Sequence, residues 1–448
     1  MRCSLAILRR EINTMYIIFL LSVICLYKIE FISLFSYIYT LTVFLLINSF
    51  LDKSKQYTNI INFHFYLFCC ITIYLIQLYI MPNYLGLTGP ENGIGTDDVR
   101  YYYQLSDHPL PFEPSVIVDS FYPYCSFLKI LYPFSILSPL NILIPNLLGI
   151  AFLPYFINKI SVQYLGDEKV GSLAEKLMLF CPFTISVGVI LMRDIWIATF
   201  LIIALYNFLR KNYLLFIVFV FGILYIRFGS VAFLVSALFV LFKNYLYPKF
   251  VNPIQGKIVY MILLFLFAVI FIFSFPVFVS LSNGKLEESL FREGFASILM
   301  RLDEDATLLK IMALPKYLSI PLLSLFFLFS PFMSFKFYTL GYFNIRTILA
   351  TTISPIMLIF CWKYILISFF ASLKKSKIYD ISLIVILFAI CLGTISLQAR
   401  HKTILMPFLY IMTAYGYYNR YLVSKAVRII CSLFTFCFFI LQLYFILR

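Results

Sequence analysis

The chain has 448 residues, of which 62% are hydrophobic, 19% aromatic and only 12% charged. A soluble domain carries about 25% charged residues, and a water-soluble fold could not hide 51 Phe and 34 Tyr behind a charged skin. With a mean hydropathy of +0.96 the chain uses lipid as its solvent, which excludes a cytosolic enzyme, a secreted domain and a disordered protein. The net charge of +15 would suggest nucleic acid unless the charges sort by membrane side.

A helix needs about 20 apolar residues to cross about 30 Å of hydrocarbon. On that rule spans are expected near 15–27, 31–50, 63–81, 139–158, 173–192, 195–209, 213–226, 228–242, 258–281, 347–373, 378–397, 403–418 and 427–447. The expected fold is therefore all-α and polytopic, a single transmembrane domain over 1–448 with about 12–14 transmembrane helices and two longer outer loops, 82–138 and 282–316. A further apolar segment, 317–335, is bracketed by Pro321 and Pro331. Reading it as re-entrant or interfacial keeps the Lys374, Lys375 and Lys377 cluster on the cytoplasmic side. At the N-terminus Arg2, Arg9 and Arg10 precede an apolar run with no small-residue cleavage site, as in a retained first span. Met15 would serve equally as a start.

Lys and Arg favour cytoplasmic loops. With the N-terminus cytoplasmic, Lys53, Lys55, Arg210, Lys211, Arg420, Lys425 and Arg428 join the Lys374 cluster inside, and the outer side is left close to neutral. The excess charge is an orientation signal, and nucleic acid is not an expected partner. All ten Cys lie in or beside apolar stretches without a CxxC pair, and His64, His108 and His401 show no ligand spacing. The cysteines read as packing residues, and neither a metal nor a cofactor is expected.

The unusual polar residues collect on the outer side. The loop GLTGPENGIGTDDVRYYYQLSDHPLPFEP carries four glycines without the GK[ST] of a phosphate loop. Its glycines would let Asp97 and Asp98 approach the membrane surface, where crowded carboxylates have split pKa values suited to a general base. Arg100 and the run Tyr101, Tyr102, Tyr103 could contact sugar, because aromatic faces stack on sugar rings. The plainer reading is a solvated acidic loop with interfacial tyrosines.

Arg193 and Asp194 precede a run of apolar residues, 195–209, that is short for the hydrocarbon core. Either the bilayer thins there or the two charges are drawn below its surface, where charges commonly line a functional cavity. Arg227 bounds the next two short runs in the same way. Against this, Arg snorkels readily, and Arg193 could simply neutralise Asp194. Arg400, His401 and Lys402 stand in a row at an expected outer helix start. Beside the positive end of a helix dipole they would make an anion site suited to a pyrophosphate, with His401 as an acid or base. The alternative is a stray basic turn. In 285–312, KLEESLFREGFASILMRLDEDATLLKIM, Leu286, Leu290, Phe291, Ile298, Leu299 and Leu302 recur at helical spacing, as in a surface helix that caps a cavity or merely connects two spans.

In order along the chain, GTDDVRYYY, LMRDIW, YIRFGS and QARHKTILMPFLYIMTAYG among many spans resemble the bacterial O-antigen and capsular polysaccharide repeat-unit polymerases. The resemblance covers most of the chain in layout and implies a glycosyltransferase of the inner membrane. A glycan on undecaprenyl pyrophosphate would be moved, at the periplasmic face, onto the terminal sugar of one lipid-linked repeat unit. The acceptor hydroxyl attacks the anomeric carbon and polyprenyl pyrophosphate leaves, with no nucleotide and no obligatory metal. It implies Asp97 or Asp98, or else His401, as the base, and Arg193, Arg227 and Arg400, assisted by Lys402, as ligands of the pyrophosphate. Its partners would be the undecaprenyl-pyrophosphate-linked oligosaccharide, membrane lipid and, in some systems, a chain-length regulator protein. Two rival classes remain: a polyprenyl-phosphate-sugar-dependent membrane glycosyltransferase, and a lipid-linked oligosaccharide flippase or other transporter, which would favour internal repeats.

Overall fold

The computed structural model describes residues 31–82, 85–87, 97–106, 122–227, 230–246, 314–330, 338–339, 342–373, 376–395 and 399–447. The expected spans at 15–27 and 258–281 and nearly all of the surface helix proposed in 282–316 lie outside them. Helix formation dominates because hydrocarbon offers backbone groups no partners, so each must be satisfied within its own segment.

In chain order the helices are α1 (Phe31–Ser49), α2 (Gln56–Ile80), α3 (Asp97–Leu105), α4 (Tyr122–Leu131), α5 (Pro139–Asn146), α6 (Leu148–Ala151), α7 (Leu153–Leu165), α8 (Glu168–Leu179), α9 (Pro182–Gly188), α10 (Arg193–Leu209), α11 (Tyr213–Ile226), α12 (Val231–Leu246) and α13 (Lys316–Phe329). A two-residue antiparallel pair, β1 (Tyr338–Thr339) with β2 (Tyr342–Phe343), precedes α14 (Ile345–Ile348). A π turn (Leu349–Ile353) joins α14 to α15 (Ser354–Ser372), followed by α16 (Ser376–Ile395), a 3-10 segment (Ala399–Ile404), α17 (Met406–Tyr418), a 3-10 turn (Arg420–Leu422) and α18 (Lys425–Leu447).

The chain is an all-α polytopic membrane protein. Among the described residues, four helical stretches, Gln56–Ile80, Pro139–Leu165, Ile345–Ser372 and Lys425–Tyr444, are long and apolar enough to cross a membrane, and a fifth crossing results if α8 and α9 form one bent span. Other expected spans differ in form. The stretch 173–192 is not one straight helix: α8 and α9 meet at 57°. Pro182 explains the break, since its nitrogen cannot donate and its ring clashes with the preceding turn. Cys181 caps α9, its sulfur accepting the Thr184 N–H at 3.3 Å. The stretch 403–418 opens as a 3-10 segment before α17 begins at Met406. Segment 317–335 forms the 14-residue α13 with Pro321 inside it, about 21 Å long and short of the hydrocarbon thickness.

The chain divides into two compact units. The first comprises 1–227, 333–361 and 435–448, and the second 228–332 and 362–434. The interior of the first unit is built around α5, α6 and α7, whose apolar window is wholly buried. Leu147 and Phe152, both in helical backbone, join the three into one 27-residue stretch, and Gly149 lets α10 approach closely: a Cβ there would lie 2.9 Å from the Trp196 indole. Helices α10 and α11 form a hairpin through Arg210–Asn212, with Lys211 at φ 61°. At one edge of this unit Lys55 pairs with Glu175 at 2.8 Å and Lys159 with Asp52 at 2.6 Å, tying the α1–α2 loop to α7 and α8. His64 accepts or donates within a buried pair with Tyr37 at 3.0 Å, a packing role.

In the second unit Ile367, Ala371, Val423 and Cys431 form a buried cluster. Gly416 of α17 meets α15 at backbone contact, so that a Cβ there would overlap the Tyr364 carbonyl. Ser368 Oγ donates to the Met412 carbonyl across the same crossing. The described cysteines are free thiols, most of them buried.

Candidate functional site

The first unit brings Arg227 of the second arginine motif against Asp194 of the LMRDIW motif. After α9 the backbone leaves helical geometry for Val189–Met192 and re-enters it at Arg193. All four residues of that stretch are buried, which is the condition under which non-helical backbone survives in a membrane protein. Arg193 and Asp194 occupy the first turn of α10 and are 4% and 1% exposed. Both charges are therefore enclosed by the protein itself. The side chain paired with Asp194 is Arg227, which follows α11 in extended backbone and lies with Nη1 3.4 Å from Oδ1. A helix N-terminus presents N–H groups and the positive end of its dipole, and here it carries Arg193 beside the Asp194–Arg227 pair.

The GTDDVRYYY segment is ordered differently from the expected loop. Asp97–Leu105 is a helix, with Asp97 half-buried, Asp98 fully buried, Arg100 half-buried and Tyr101, Tyr102 and Tyr103 buried. The correction has a physical cause: α3 is amphipathic, and its tyrosines pack inward. The Tyr101 ring stands edge-on to Tyr124 at 4.8 Å, and Tyr102 edge-on to Tyr103 at 5.6 Å. Cys125 of α4 is 3.4 Å from Gln104 Oε1 of α3, its thiol donating. Burial pushes that thiol up to about 12, so it is no nucleophile.

Tyr124, Asn146 and Trp196 connect these features. Tyr124 donates to Asn146 Oδ1 at 2.8 Å, Trp196 Nε1 donates to the same oxygen at 2.7 Å, and Asn146 Nδ2 donates to the Ile190 carbonyl at 2.8 Å. Burial holds the Tyr124 phenol well above its ordinary value, with Tyr101, Cys125 and Asp194 pushing the same way and Arg193 opposing. It is therefore a protonated donor. Asparagine inside an apolar run was the available signal, because a buried amide in such a run must have partners. The π turn at Leu349–Ile353 packs against α9, a local distortion of the kind found near functional sites.

Arg400, His401 and Lys402 belong to the second unit. Arg400 is half-buried and His401 is buried. The Lys402 ammonium is fully buried and donates to the carbonyls of Leu328, at 2.8 Å, and Ser330. It caps the C-terminal end of α13, where the dipole is negative and carbonyls lack helical partners. The buried ammonium thus has a structural reason for its place. Among the described residues no group of three His, Cys, Asp or Glu could hold a metal ion.

Compared with protein-family models, curated proteins and solved structures, the chain matches none.

Proposed function

We propose that the protein is a membrane glycosyltransferase that polymerises polyprenyl-pyrophosphate-linked oligosaccharide repeat units at the outer face of the bacterial inner membrane. The observation that carries the reading is the interrupted helix before Arg193, with Arg193 and Arg227 gathered at the buried N-terminus of α10. Half-helix N-termini inside membrane proteins receive anionic substrate groups, and arginine binds phosphoryl oxygens bidentately. A departing diphosphate needs this stabilisation as charge develops on it.

In the proposed reaction the acceptor hydroxyl forms a bond to the anomeric carbon while the bond to the pyrophosphate oxygen breaks. The hydroxyl proton passes to a carboxylate, for which Asp97 and Asp98 in the same unit are the candidates. Asp97, half-buried, has the better access. Arg400 and His401 are retained as separate substrate contacts of the second unit.

A lipid-linked oligosaccharide flippase is the second reading, favoured by the same broken helix, which transporters also use. Deleting the gene and examining the surface glycan on a gel separates them. A polymerase defect leaves single repeat units on the lipid core, a flippase or early-transferase defect leaves no glycan, and one missing sugar on long chains marks a side-branch transferase.

A further inference from the structure

We propose that Asn146 is a positioning residue for the diphosphate-binding arginines, an inference that rests on the function proposed above. The amide is fully buried, and its atoms are fixed by chemistry: Oδ1 faces an obligate donor, Trp196 Nε1, and also Tyr124 Oη, while Nδ2 faces an obligate acceptor, the Ile190 carbonyl. The Tyr124 phenol can act only as donor here because Oδ1 is its partner, and a flipped amide would set NH2 against the indole N–H.

The two contacts along the chain bracket the site. Ile190 lies three residues before Arg193 in the non-helical stretch, and Trp196 lies in the first turn of α10, two residues beyond Asp194. One side chain on α5 thereby holds the Ile190 carbonyl before Arg193 and Asp194 and the Trp196 indole after them. Through Tyr124 it also meets Tyr101 of α3, the helix that carries Asp97 and Asp98. Asn146 neither carries charge nor faces the substrate in this scheme; it sets where the guanidinium and carboxylate groups stand.

The chain has two tryptophans, so Trp362→Phe leaves Trp196 as a single reporter beside the amide. Full-length Trp362→Phe protein in detergent micelles is titrated with radiolabelled farnesyl pyrophosphate, following bound label and Trp196 emission together. The parent is expected to bind and to change its emission. Asn146→Ala, and Asn146→Thr of nearly the original volume should the alanine variant fail to fold, are expected to bind at least about tenfold more weakly, with no emission change at saturation. Equal binding by a folded Asn146 variant, with the emission change intact, overturns the inference and leaves the proposed function standing. Absence of binding to the parent overturns the diphosphate site itself and the inference with it.

Discussion

Arg227 Nη1 lies 3.4 Å from Asp194 Oδ1, joining residues 33 apart in sequence at the point where α11 ends and α10 begins. The carboxylate is 1% exposed on its side chain and the guanidinium 21%. The carboxylate of the pair is thus sealed and the guanidinium partly exposed.

This pair is expected to be coupled in stability. Arg227→Ala and Asp194→Asn each destabilise the protein, and the double variant costs less than the two effects added. The coupling should fall at about 0.5–3 kcal/mol, the range of contacting charged pairs. Thermal unfolding of the four proteins in detergent measures it, and strict additivity would contradict direct pairing.

Lys402→Met should lower the thermal midpoint and the amount of protein in the membrane, because it strips the α13 carbonyls of a charged donor. Hydrogen bonds to charged groups contribute about 1.5–3 kcal/mol each. Arg400→Ala, by contrast, should leave protein level unchanged while shortening the glycan. If Lys402→Met is as stable as the parent, the helix-capping role is wrong.

Gly416→Ala should separate α15 from α17, since the added methyl meets the Tyr364 backbone and cannot be relieved by a rotamer change. Overpacking of this kind costs about 1–3 kcal/mol. Size-exclusion monodispersity against temperature would register the loss; Gly166→Ala, where nothing lies within 4 Å, tests instead the left-handed backbone at φ 77°.

Asp52 supplies a pH dependence outside the spans. Hydrogen bonding from Lys159, then from Ser54, holds its carboxyl at about 2, below the ordinary 3.8. A depressed folded value means that the stabilisation is present above the unfolded value and is lost as pH falls from about 3.8 towards about 2. The difference in thermal midpoint between parent and Asp52→Asn should therefore be constant from neutral pH to about 5 and close below it. A difference that widened on acidification would contradict the pairing.

Several of these relationships were legible in the sequence. The apolar periodicity and length of Gln56–Ile80 and the Arg193–Asp194 doublet before a short run announced a membrane helix and a buried charge pair. Neutralisation of Asp194 by Arg193 was one sequence alternative; the contribution of Arg227, 33 residues on and 3.4 Å from Oδ1, was not legible because it depends on how α10 and α11 fold together. The acidic loop became a helix because burial of its tyrosines outweighed the polarity of its flanks. Asn146 was passed over because a single amide in an apolar run carries no motif, and its partners are 22, 44 and 50 residues away. The contacts of Lys402 with the carbonyls at 328 and 330 were not legible, because backbone carbonyls leave no trace in side-chain chemistry.

The central claim is that Arg193 serves chain lengthening. Arg193→Ala, expressed in the deletion strain at parental protein level, should leave surface glycan of single repeat units on a gel. Long glycan chains of parental distribution from that variant would contradict the account.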